Sequence, residues 1–115
     1  MFKIKGTKIF LIRGDTLIIE VKIKRNGEDY EVQPGDVVRF ALKRSEMKKD
    51  NTAYLDEKPL ITKIIPNESL ILRLESEDTA NLPFGRYHYD IQLTMEDGTV
   101  DTFISNTLDL LAEVD

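Results

Sequence analysis

The feature that most constrains this chain is hydrophobic alternation with a period of two. Over residues 16–25, Leu17, Ile19, Val21 and Ile23 alternate with Ile18, Glu20, Lys22 and Lys24, giving one apolar face and one largely charged face. Over residues 87–95 the pattern is cleaner still. Tyr87, Tyr89, Ile91, Leu93 and Met95 share one face, and His88, Asp90, Gln92, Thr94 and Glu96 share the other. A helix cannot keep such a pattern on one side, so these segments are read as half-buried strands.

Turn signals separate the alternating segments. Asn26-Gly27 and Asp97-Gly98 are the dipeptides that favour type I′ hairpins. Pro34-Gly35-Asp36 and Pro66-Asn67-Glu68 turn the chain elsewhere. Tyr30 and Val32 suggest a short return strand, Val38, Phe40 and Leu42 the next, then residues 60–65, then Leu70, Leu72 and Leu74. Residues 100–105 form a return strand, and residues 107–114 a last, peripheral one. Only residues 76–82 suit a helical turn: Ser76 can cap it, Glu77 and Asp78 favour its start, and Pro83 and Gly85 stop it. The expected fold is all-β, an antiparallel sandwich of seven to eight strands with one short helical turn. With 115 residues the chain makes one domain, 1–115.

Composition narrows the function classes. Apolar residues make up 41% and charged residues 32%, a balance expected of a globular chain. The longest apolar runs, such as residues 9–12, are too short to span a bilayer, so no membrane insertion is expected. The start Met-Phe-Lys-Ile-Lys-Gly offers no secretory apolar stretch, and cytoplasmic synthesis is the expectation. A net charge of −5 disfavours nucleic-acid binding. The charge is uneven, mostly basic over residues 3–25 and acidic over 75–101 and the tail, an asymmetry that either orients subunits head to tail in a homo-oligomer or is an accident of a small domain.

Reactive chemistry is sparse. There is no cysteine and one histidine, which leaves no thiolate nucleophile and no ordinary zinc site. His88 could be oriented by Asp90 on the same strand face, or be a solvated strand histidine. Asp97 and Asp101 flank a hairpin tip with too few oxygens for calcium. No phosphate-binding glycine loop is present. Arg13-Gly14-Asp15 spells an integrin-binding tripeptide and reads better as a tight turn; Asn67-Glu68-Ser69 matches a glycosylation pattern and reads as a surface turn. The expectation is therefore not an enzyme, with no catalytic, cofactor or metal residues and no cofactor. Tyr30 and Tyr54 are the candidates for a sugar platform. Residues 44–51 (Arg-Ser-Glu-Met-Lys-Lys-Asp-Asn) form either a docking hairpin or a solvated loop, and residues 110–115, ending in Val114 and Asp115, could add as an edge strand.

Tyr87, just after a helical turn and Gly85, has two readings. It is either the tyrosine of an immunoglobulin-type corner, bonding back to the turn, or an ordinary core tyrosine beside Tyr89. Arg13-Gly14-Asp15-Thr16 leads into a long strand, and Pro34-Gly35-Asp36-Val37-Val38-Arg39-Phe40 opens another. Leu82-Pro83-Phe84-Gly85-Arg86-Tyr87-His88-Tyr89-Asp90-Ile91-Gln92-Leu93 is followed by Asp97-Gly98-Thr99-Val100. Together these resemble the small immunoglobulin-like structural proteins of phages and prophages of Gram-positive bacteria, akin to the N-terminal domain of the upper baseplate protein BppU. The resemblance implies an immunoglobulin-like sandwich and a non-enzymatic tail or baseplate role. The implied partners are other tail or baseplate proteins, in the virion if assembled. A carbohydrate-binding module for a bacterial surface glycan is the alternative. The motifs are architectural and carry over no functional residue.

Overall fold

The computed structural model describes residues 2–44 and 58–112. Among these described residues, ten strands and one helical turn follow in order: β1 (Phe2–Lys5), β2 (Lys8–Ile12), β3 (Leu17–Glu20), β4 (Lys24–Arg25), β5 (Glu28–Asp29), β6 (Val37–Arg44), β7 (Ile61–Ile65), β8 (Ile71–Leu74), α1 (Ser76–Thr79), β9 (Gly85–Thr94) and β10 (Val100–Leu111). Six of them form a sheet in the order β1-β2-β10-β9-β6-β7. β3 and β8 form a second, two-stranded sheet, and β4 and β5 a small hairpin.

The alternating faces close on one another. Leu17, Leu72 and Leu74 from the small sheet share a buried cluster with Ile9, Leu11, Val38, Phe40, Leu42, Tyr89, Ile91, Leu93, Leu108 and Leu110 from the large one. Every second residue of β6 and β9 is buried, as the period-two pattern requires. The fold is all-β as expected, with one ladder that departs from the antiparallel pattern: β2 runs parallel to β10, pairing Ile9 with Leu108 and Leu11 with Leu110. Parallel neighbours need a long crossover. Here almost the whole chain lies between the two.

Several local expectations hold. Asn26 and Gly27 both have positive φ, 53° and 80°, as a type I′ turn demands. α1 occupies Ser76–Thr79, although its N-cap is Glu75 rather than Ser76; the Glu75 N–H donates to the Asp78 carboxylate at 2.7 Å. Asp97-Gly98 does close a hairpin, but only Gly98 has positive φ. The Met95 N–H donates to Thr99 O at 2.8 Å, so this is a three-residue loop with a glycine bulge rather than a type I′ turn.

Two expectations are corrected at the chain ends. The segments 100–105 and 107–114 are one strand, β10, with a register shift between Thr102 and Ile104. It is central rather than peripheral, because β9 and β2 flank it and Leu110 is 1% exposed. Leu110 therefore cannot serve as a free edge, and Val114 lies outside the described residues. The hairpin β1–β2 adds to the expected strands; it turns at Gly6, whose φ is 64°.

Candidate functional site

The residues with chemical potential are mostly engaged in holding the sandwich together. The Tyr87 hydroxyl donates to the Pro83 carbonyl at 2.6 Å, four residues back in the chain. This is the corner geometry of the two readings left open for Tyr87, and it pins the approach to β9. Tyr89, also on the inner face, donates to the Thr7 carbonyl in the β1–β2 turn. Burial pushes the Tyr89 hydroxyl up to about 12.

The Arg13-Gly14-Asp15 turn is likewise structural. Gly14, at φ 88°, donates its N–H to the Thr79 hydroxyl at 3.1 Å, and Thr79 is fully buried. The Arg13 guanidinium lies 4.0 Å from the centre of the Phe84 ring and reaches Leu82 O at 3.4 Å. These contacts hold the tripeptide against the end of the sandwich rather than presenting it on a free loop. Asn67 is tied down in the same way, its side-chain amide donating to Asp36 O at 2.8 Å.

Tyr30 makes a poor sugar platform. Its hydroxyl donates to the Asp36 carboxylate at 2.6 Å, which raises its pKa, and the Arg25 guanidinium sits 5.7 Å from the ring centre. Arg25 also pairs with Asp101 at 3.1 Å, removing one of the two carboxylates at the β9–β10 hairpin from any cation site. The other, Asp97, accepts the Thr99 N–H at 2.9 Å, which holds it below the usual carboxylate range. Among the described residues no group of three His, Asp or Glu is arranged to hold a metal ion. Tyr54 and residues 45–51 lie outside the described residues.

The fold does create one cluster that the sequence did not announce. Cross-strand register places Ser105 of β10 opposite Asp90 of β9, beside His88. His88 Nε2 is 2.8 Å from Ser105 Oγ and 3.2 Å from Asp90 Oδ1. Both partners meet the same ring nitrogen. A serine–histidine–aspartate relay needs the carboxylate on one nitrogen and the hydroxyl on the other, so this geometry cannot pass a proton from serine toward aspartate. It is a cross-strand polar contact on the outer sheet face.

What remains available is surface. Phe2 and Ile4 of β1 pair with Leu11 and Ile9, so they point to the core side, yet they are 37% and 41% exposed. At the opposite edge, Ile61 and Ile65 of β7 are buried. The small sheet thus covers the β7 end of the large sheet and stops short of the β1 end. An apolar cleft of about 340 Å³ opens there, lined chiefly by Ile4, Ile9, Ile19, Leu72, Tyr89 and Ile104. No helix among the described residues is long and apolar enough to cross a membrane. No family model matches the chain, and no curated protein or solved structure matches it significantly.

Proposed function

We propose that this chain is a non-enzymatic structural protein of a phage or prophage, associated with the tail or baseplate, that works through protein–protein contacts. In its finer form the fold is immunoglobulin-like. The β3–β8 pair packed on the large sheet, the short helical turn before β9 and the Tyr87–Pro83 bond all support that form. The observation that carries the contact role is the half-exposed apolar side of β1, where Phe2 and Ile4 face the core side and no described strand covers them. Exposed apolar side chains at a sheet edge are what a contact protein retains and a lone monomer has reason to cover.

The test is co-expression with the gene products encoded beside it, followed by size-exclusion chromatography with light scattering. The expected result is a defined complex with a tail or baseplate protein. A strict monomer that joins none of them overturns the proposal.

A further inference from the structure

We propose that the open edge of β3 and of the segment that continues it into β4, residues 17–25, receives an extended segment of another protein, which adds as a third strand to the small sheet. This gives a surface and a partner chemistry to the contact role above, and it rests on that reading.

The argument begins with the direction of the backbone groups. The Val21 N–H donates to Leu70 O at 2.7 Å, and Tyr30 N–H donates to Ile23 O at 2.9 Å. Val21 and Ile23 therefore turn their polar groups to the edge already occupied by β8 and the β4–β5 hairpin. Because these groups alternate sides along an extended strand, those of Ile18, Glu20, Lys22 and Lys24 face the other edge. No described strand lies along that edge. It offers donors and acceptors repeating about every 6.6 Å, a spacing that another extended backbone matches.

The side chains define what the added strand carries. On its inner side lies the cleft between β3 and the β1–β2 hairpin, walled by Ile4, Ile9, Ile19 and Ile104, so every second residue of the segment is apolar. A strand seated there also covers Ile4. On the outer side the segment runs beside Ile18, Glu20, Lys22 and Lys24, all exposed. Lys22 and Lys24 sit two residues apart on one face, and acidic side chains opposite them satisfy the cross-strand charge rule. The occupant is thus an extended segment alternating apolar residues with polar ones, two of them acidic. A second copy docking β3 against β3 does not fit, because its own projecting β1 would enter the same space.

The probe is a capped nine-residue peptide, Val-Asp-Val-Asp-Val-Thr-Val-Thr-Val, which places its two aspartates opposite Lys24 and Lys22 when antiparallel to β3. Binding is read from amide shifts of the full chain labelled with nitrogen-15. The expected result is saturable change at Ile18, Glu20 and Lys22, with the peptide carrying lysines in place of aspartates binding about tenfold or more weakly. The Glu20→Pro variant removes an N–H that β8 does not use, and it weakens binding about tenfold or more. The double variant Lys22→Glu with Lys24→Glu reverses the preference between the two peptides and reports even where proline disturbs folding. An aspartate peptide that leaves these amides unchanged, or that binds both variants as it binds the parent, overturns the site. A tail complex that still forms with Glu20→Pro also overturns it while sparing the contact role. A chain that binds the peptide at β3 yet joins no tail complex supports the site and overturns the role.

Discussion

At the residue scale, two tyrosines on one strand do different work. Tyr87 anchors a corner and Tyr89 anchors the first hairpin, and both face inward because alternation in β9 puts them there. Tyr87→Phe keeps the ring but leaves the Pro83 carbonyl without its donor, and the expected loss is about 1 kcal/mol in urea unfolding. Tyr89 makes a prediction about pH. Its hydroxyl ordinarily titrates at 10.0 and is pushed up to about 12 by burial, so the unfolded chain loses its proton first. Stability from this group is full below pH 10.0 and falls as pH rises toward about 12. Urea midpoints for the parent should drop over that range, and Tyr89→Phe should drop less. Tyr30, also raised, retains part of the effect in the variant. The burial of both β9 tyrosines was readable from alternation. Which atoms they bond was not, because Pro83 and Thr7 meet them only after the chain has folded.

At the element scale, turn chemistry sets where strands begin. Gln33-Pro34-Gly35-Asp36 closes with the Asp36 N–H donating to Gln33 O at 3.0 Å, and Gly35 has φ 92°. Proline followed by a residue of positive φ is the signature of a type II turn. A Cβ at Gly35 would stand 3.0 Å from Glu96 Cδ and Oε2. Gly35→Ala should therefore cost about 1–3 kcal/mol, combining backbone strain with a close contact. Adding Glu96→Ala should recover only the contact share, as a double-mutant cycle in urea would show. β6, β7, β8 and β9 were legible from alternation bounded by such turns. The β1–β2 hairpin was missed although Phe2 and Ile4 alternate with lysines before Gly6. That signal is only four residues long, too short for alternation to mark a strand by itself. The two segments expected after Gly98 merged into β10 because an irregularity at Thr102 and Ile104 interrupts the alternation without ending the strand.

At the scale of the whole molecule, the sandwich is asymmetric. Its β7 side is covered by β8, whereas its β1 side projects past β3, leaving Phe2 and Ile4 half-exposed and an edge of β3 along which no described strand lies. Period-two alternation announced the layers but not their unequal widths, because strand order depends on long-range pairing such as β2 with β10. The same long-range register brought Ser105 to His88, a contact invisible in a sequence separation of 17 residues. The asymmetry is what makes contact with another chain the central expectation here. Amide hydrogen exchange of the isolated protein tests it most directly. Ile19 and Val21 should exchange slowly, with the alternating Ile18, Glu20 and Lys22 exchanging fast, as an open edge requires. Equal protection of all five amides would mean that the edge is already paired, and would contradict the account.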